Sequence, residues 1–196
     1  TYLTPHSYEV ATYAAGSAIA AMEEARDGNS CFALVRPPGH HAASGWAMGF
    51  CIINNAAVAA AKALNAVDRV AVIDWDLHQG NGTQAIFYRS NRVLYCSVHA
   101  EGFFPRTGAA VETGAGDGAG YTVNAPLPPG STIGDYAHVF SGLFLPVLER
   151  TRPDLVIISA GQDALTGDPI GGMGLYPEDY GTLTGLLIDA TGLPPA

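Results

Sequence analysis

The stretch Val70-Ala71-Val72-Ile73-Asp74-Trp75-Asp76-Leu77-His78 opens on four apolar residues and closes on two acids and an imidazole at alternate positions. An unbroken apolar run of this length fits a strand covered on both faces, as in a parallel sheet. A strand turns every second side chain to one side, so an extended path through residue 78 would bring Asp74, Asp76 and His78 together at its carboxyl end. A second apolar run, Leu155-Val156-Ile157-Ile158, leads through Ser159-Ala160-Gly161-Gln162 to Asp163. Two buried strands delivering these groups to one sheet edge make a candidate metal site that keeps a coordination position open.

Around these two runs the chain alternates helical and extended patterns, the signature of an α/β domain. Helices are expected near residues 7–27, 54–64, 82–88, 133–150 and 177–190. Strands are expected at 31–35, 70–73, 92–98 and 155–159, the third followed at once by His99. Residues 36–45, 102–130 and 161–177 read as loops. In parallel α/β sheets ligands bind beyond the carboxyl ends of the strands, which is where the chemically active residues fall. The alternate glycines Gly114, Gly116, Gly118 and Gly120 do not match the dinucleotide fingerprint and do not link a strand to a helix, so no nucleotide site is assigned to them.

The 196 residues are 48% hydrophobic and 14% charged, enough apolar material for one folded domain. A net charge of −9 argues against a nonspecific grip on nucleic acid. Cys31, Cys51 and Cys96 are scattered and odd in number, which suits a reducing compartment such as the cytoplasm and offers no thiolate metal site. No apolar run is long enough to span a bilayer, so no membrane association is expected. Asn81-Gly82-Thr83 matches a glycosylation sequon, but beside the acid/imidazole cluster it reads as a turn. The chain opens inside a helical pattern and closes on Leu193-Pro194-Pro195-Ala196. Residues 1–196 are therefore expected to be one truncated catalytic domain of a larger enzyme, of open oligomeric state.

A single Asp after a strand is often a helix or turn cap. Two Asp and a His at strict alternation are costly to bury unless they are paired or hold a metal. Oxygen and nitrogen donors without thiolate suit zinc, and also Fe(II), Co(II) or Mn(II). Of Asp74, Asp76, His78 and Asp163, three would ligate and one would stand behind them, and position does not say which. Arg36-Pro37-Pro38-Gly39-His40-His41 places adjacent imidazoles in a loop at the same edge, a candidate proton-transfer pair. Gly49-Phe50 and Phe103-Phe104 either pack or line a narrow apolar channel.

Several of these stretches occur in one order. They are Arg36-Pro-Pro-Gly-His-His-Ala, Gly49-Phe-Cys, Asp74-Trp-Asp-Leu-His-Gln-Gly-Asn-Gly, Ser97-Val-His, Phe104-Pro-Arg-Thr-Gly and Ala160-Gly-Gln-Asp-Ala-Leu-Thr-Gly-Asp-Pro. Together they resemble the histone deacetylase superfamily, in the flavour of its class II and acetylpolyamine amidohydrolase-like members. The resemblance implies an arginase-like three-layer α/β/α fold with a mainly parallel sheet. It also implies zinc-dependent removal of acyl groups from lysine side chains, in acetylated peptides, or from acetylpolyamines. By that likeness Asp76, His78 and Asp163 are the zinc ligands, His40 and His41 the general acid–base pair, and Asp74 the carboxylate behind His40. Phe50 and Phe104, with Gly49, would wall the acyl-lysine tunnel. Asp74, Asp76, His78, Ser97 and Val98 would surround a structural potassium ion. Phe87, Ser90, Val93 and Tyr121 match a second monovalent-cation site.

The chain departs from the family pattern in places. Gln79 stands where a second His is usual, Arg106 where a Gly is usual, and Gln162 where Phe or Ala is usual. The family's Gly-Gly-Tyr loop, whose Tyr polarises the substrate carbonyl, falls beyond residue 196, and the rim Asp that holds the substrate backbone falls before Thr1. Tyr176 and Tyr180 lie in the wrong context to replace that Tyr. An arginase- or agmatinase-like enzyme needs two manganese ions and more Asp ligands than this chain offers. The remaining alternative is a catalytically incomplete module that binds acylated ligands or a partner.

Overall fold

The computed structural model describes residues 3–196. Its centre is a four-stranded sheet in the order β3-β2-β1-β4, with β1 Val70–Asp74, β2 Val93–Ala100, β3 Thr122–Leu127 and β4 Leu155–Ser159. Every pairing is parallel, and the register sets Asp74 beside Ser97 on one side and Ser159 on the other. Side-chain alternation divides the core into two layers. Ala71, Ile73, Leu94, Cys96, Val98 and Val156 face the helical run from α4 (Ile133–Val139) to α5 (Leu145–Thr151), and α6 (Pro177–Thr191). Val70, Val72, Val93, Tyr95, Leu155 and Ile157 face α1 (Ser7–Arg26), α2 (Asn55–Ala63) and α3 (Asn81–Phe87). Helices cover both faces of the sheet, which is the expected three-layer α/β/α arrangement.

The layer of α1 and α2 is built from alanine. Ala11, Ala14, Ala15, Ala21 and Ala25 recur at helical spacing on α1, and Ala57, Ala60 and Ala63 on α2. Alanine has high helix propensity, and a face without long side chains lets the two helices pack closely. Asn54 caps α2 by accepting from the Ala57 amide at 3.0 Å.

Four expectations need correction. Residues 31–35 form no strand: the edge of β4 is taken by Pro195 and Ala196, with Ala196 N donating to the Val156 carbonyl at 3.1 Å and the Ala196 carbonyl accepting from Ile158 N at 2.8 Å. Cys31 reaches only the far side of that pair, through one bond to the Pro195 carbonyl, and Phe32 and Leu34 stay exposed. Within 102–130, read as loop, lies β3. It is an edge strand carrying polar Thr122 and Asn124 and the donorless Pro126, so it lacks the apolar run that marks a central strand. The helix expected at 133–150 is interrupted by a π turn, Phe140–Phe144. Pro146 follows, and without an N–H it cannot close the ordinary bond to Gly142. Finally, β1 stops at Asp74 and the backbone bends over residues 76–78. Trp75 and Leu77 nonetheless continue the alternation into the core layer of Ala71 and Ile73.

Candidate metal centre

The bend after β1 has a local cause. Asp74 and Asp76 each turn a carboxylate back onto the backbone two residues ahead, accepting from the Asp76 amide at 3.3 Å and the His78 amide at 2.7 Å. Such Asx-type bonds pull the chain out of the extended path. Asp163 arrives on the loop after β4 and accepts from the Leu77 amide at 2.8 Å, tying the two strand ends together. Ligand atoms of Asp76, His78 and Asp163 then all lie within 4.8 Å of one another. His78 Nδ1 is 3.1 Å from Asp76 Oδ1 and 2.8 Å from Asp163 Oδ2.

Among the four candidate ligands the structure separates Asp74. It is fully buried, and its Oδ2 accepts from Tyr95 OH at 3.1 Å and lies 3.1 Å from His40 Nδ1. The other three carry two carboxylates and one imidazole. Hydrogen bonds to Asp163 and Asp76 raise the His78 pKa to about 10. Burial pushes the Asp76 carboxyl up, but His40 and His78 outweigh it and hold it at about 2. A site that draws positive charge this strongly, from oxygen and imidazole donors with one side toward solvent, fits a divalent cation. Gly161 permits the approach: a Cβ there would lie 2.6 Å from Asp76 Cβ.

The two histidines sit 4.0 Å apart, centroid to centroid, in opposite electrostatic settings. Burial alone would lower the His40 pKa, but Asp76 and Asp74 more than offset it and raise it to about 9. Both of its ring nitrogens face a carboxylate: Nδ1 lies 3.1 Å from Asp74 Oδ2 and Nε2 lies 3.7 Å from Asp76 Oδ2. Burial, then the charge on His40, lowers the His41 pKa to about 4. His41 Nδ1 lies 2.8 Å from Asn81 Oδ1; an amide oxygen only accepts, so Nδ1 carries the proton and Nε2 is left as an acceptor. Paired groups with pKa values pushed apart divide acid and base roles between them.

Phe104 stands over His41 and His78, its ring centroid 5.1 Å from that of His41 and 6.3 Å from that of His78, both edge-on. Gly49, at φ 55°, lies against the same imidazole: a Cβ there would meet His41 Cγ at 2.8 Å. Phe50, at φ 67°, is 68% exposed and lines a groove of about 490 Å3 with Val10, Arg36, Pro37, Pro38 and Ile52. A second cavity, about 250 Å3, reaches His40 and Asp76 from between β4 and residues 32–35. Ser97 is buried beside Asp74 with its Oγ 2.9 Å from His99 Nδ1, and Val98 points into the core. Phe87, Ser90, Val93 and Tyr121 fall where α3, β2 and the lead into β3 meet. Tyr180 is buried against Trp75 and Tyr176 is 55% exposed; neither hydroxyl is hydrogen-bonded to the metal-ligand group.

Two residues went unread in the sequence. Asn81, taken as part of a turn, begins α3 and bonds to His41; Tyr95, within the expected strand 92–98, donates to Asp74. Neither carried a signal: Tyr95 meets Asp74 because β2 lies beside β1, and Asn81 meets His41 because α3 returns to the loop that carries it.

The histone deacetylase domain model matches residues 1–192. The chain is 44% identical over 191 residues to the histone deacetylase-like amidohydrolase of Pseudomonas aeruginosa, covering 95% of this chain and 50% of that protein. Among solved structures, the HDA15 HD domain superposes with a TM-score of 0.95 at 45% identity, covering 98% of this chain and 57% of that one. The acetylpolyamine aminohydrolase of Burkholderia pseudomallei superposes with a TM-score of 0.90 at 41% identity, covering 97% and 56%. This chain thus spans about half the length of these relatives. With the family model matched from residue 1 to 192, and the fold shared down to the strand ends that carry the candidate ligands, the chain belongs to the histone deacetylase family.

Proposed function

We propose that this chain supplies the metal-binding and proton-transfer part of a zinc-dependent deacetylase that hydrolyses acetyl amides on lysine side chains or polyamines. The observation that carries the reading is the closely packed His40 and His41, one bonded to Asp74 and the other to Asn81, beside the Asp76/His78/Asp163 group. The ion expected there is zinc, with Fe(II) or Co(II) also suited to the donor set, and it would supply carbonyl polarisation and acidification of water. His41 accepts a proton from the attacking water at Nε2 while Asn81 holds its ring. His40, charged and oriented by Asp74, stabilises the negative charge that develops; the histidine pair then returns a proton to the leaving nitrogen. Water and amide become acetate and amine, and the proton count closes on the two imidazoles.

Phe104, Gly49 and Phe50 are the residues proposed to meet the acyl chain. The Burkholderia relative's name makes an acetylpolyamine one candidate substrate, and acetyl-lysine in a peptide is the other. Potassium is assigned to the surroundings of Asp74, Asp76, His78, Ser97 and Val98, with a second monovalent ion near Phe87, Ser90, Val93 and Tyr121. No helix of the described residues is long and apolar enough to cross a membrane. Cys31, Cys51 and Cys96 are all unpaired, which suits the cytoplasm.

The test measures metal content and acetate release from an acetyl-lysine peptide and an acetylpolyamine, for the natural chain and Asp76→Ala. About one zinc per chain with acetate release, both lost in the variant, is the expected result. Zinc-dependent release surviving in Asp76→Ala would refute the ligand assignment, and metal binding without release would point to a binding module.

A further inference from the structure

Behind the metal-ligand strand lies a polar network that the chemistry above does not use. Gln79, one residue past His78, is buried, as are Gln84 on α3 and Asn124 on β3. Gln79 Nε2 donates to Gln84 Oε1 at 2.9 Å and to Asn124 Oδ1 at 3.3 Å. Asn124 Nδ2 donates to the same Gln84 oxygen at 2.8 Å and to the Glu112 carbonyl at 3.1 Å. Gln84 Nε2 donates to the Glu112 carboxylate. The Nε2 of Gln79 and the Nδ2 of Asn124 each donate twice, so turning any one of the three amides would set acceptor against acceptor or donor against donor.

The remaining acceptor, Gln79 Oε1, takes the Thr107 hydroxyl at 2.7 Å. Thr107 lies three residues past Phe104, directly after the turn closed by Arg106 N donating to the Phe103 carbonyl at 2.8 Å. The next residue, Gly108, offers its carbonyl to His99 Nε2 at 3.1 Å. Between these anchors Arg106 holds φ 65°, a conformation that a non-glycine residue keeps only where its surroundings impose it.

We propose that Gln79 and Thr107 form a clamp that joins the His78 segment to the Phe104 turn and fixes Phe104 over the His41 and His78 imidazoles. The clamp makes Gln79 a positioning residue: it sets the gap between the aromatic wall and the metal-ligand group, and so the length of acyl chain accepted. The acyl-length part rests on the deacetylase reading; the clamp itself does not.

The test is Thr107→Val, which removes one hydroxyl at nearly constant shape, beside Thr107→Ser, which keeps it. In the metal-free chain, amide exchange over residues 103–109 should rise about tenfold in Thr107→Val, the equivalent of one lost hydrogen bond. The His41 and His78 ring resonances, which sense the Phe104 ring, should move in the same variant. Thr107→Ser should keep the natural values for both. In the zinc-loaded chain, preference for an acetyl-lysine over a butyryl-lysine peptide, read as a ratio of Kd values, should fall about tenfold in Thr107→Val. Unchanged exchange or unmoved histidine signals would overturn the clamp. Loosened exchange with an unaltered acetyl-to-butyryl ratio would overturn its role in selectivity. If the natural chain binds neither peptide, the deacetylase reading and the acyl-length role fall together, while exchange and the histidine signals still decide the clamp.

Discussion

Replacing Gly161 by Ala should cost the chain its metal while leaving its fold. A Cβ at 161 would sit 2.5 Å from Asp76 Cγ and 2.6 Å from its Cβ. Carbon atoms in contact settle near about 3.5–4.0 Å, so roughly 1 Å of separation must be found. Metal–ligand distances tolerate only about 0.2 Å, so a shift of that size takes a ligand out of reach. Two relaxations are open: Asp76 moves away, or the backbone at 161 retreats and carries Asp163, two residues on, with it. Either displaces one of the three proposed ligands. Disturbing a neighbour that only orients a ligand costs about 10–100-fold in metal affinity, so losing a ligand position should cost at least about 100-fold. The assay is zinc competition against a chromogenic chelator, with thermal unfolding of the metal-free protein as the check on folding. Gly185→Ala on α6, where an added Cβ meets nothing within 4 Å, is the control, and it should bind zinc normally. A folded Gly161→Ala chain with zinc affinity within about threefold of the natural one would refute the reasoning, because it would mean that the 76/163 geometry is not what holds the ion.

Three further outcomes follow from the contacts around the site. Tyr95→Phe removes the hydroxyl that donates to the fully buried Asp74 carboxylate and should destabilise the chain by about 1.5–3 kcal/mol in denaturant unfolding; a change below about 0.5 kcal/mol would show that the bond is dispensable. Asn81→Leu should keep the metal but lower acetate release by about 10–100-fold, because the His41 tautomer is no longer held; undiminished release would remove Asn81 from the mechanism. Burial lowers the His99 pKa from 6.5 to about 4, so the unfolded chain takes up the proton first as pH falls. His99 should therefore withdraw stability progressively from pH 6.5 down to about 4, by up to about 3 kcal/mol. Unfolding measured across that range should lose part of its slope in His99→Gln, and an unchanged slope would refute the assignment.

The amino-acid sequence by itself determined the parallel sheet, the edge at which chemistry collects, and the residue types that collect there. It could do so because these rest on short-range regularities. Apolar runs such as Val70–Ile73 and Leu155–Ile158 mark buried strands whatever the rest of the chain does, and polar residues directly after them must lie at the strand ends. The family likeness then named Asp76, His78 and Asp163, the same three residues whose ligand atoms the fold brings within 4.8 Å. What depended on which strands lie side by side was not legible. β3 is marked as a strand by β2 beside it more than by its own Thr-Val-Asn-Ala-Pro-Leu composition, and residues 31–35 lost that status because Pro195 and Ala196 took the edge of β4. The split between Asp74 and Asp76 belongs to the tertiary structure as well. Two carboxylates two positions apart look alike in a one-dimensional pattern, and only Tyr95 on the neighbouring strand and His40 on a loop set Asp74 apart from the group of Asp76, His78 and Asp163. The opposite pKa shifts of His40 and His41 have the same origin: adjacent in the chain and identical in chemistry, they differ because the fold sets two carboxylates beside one ring, while burial and the charge on that neighbour act on the other.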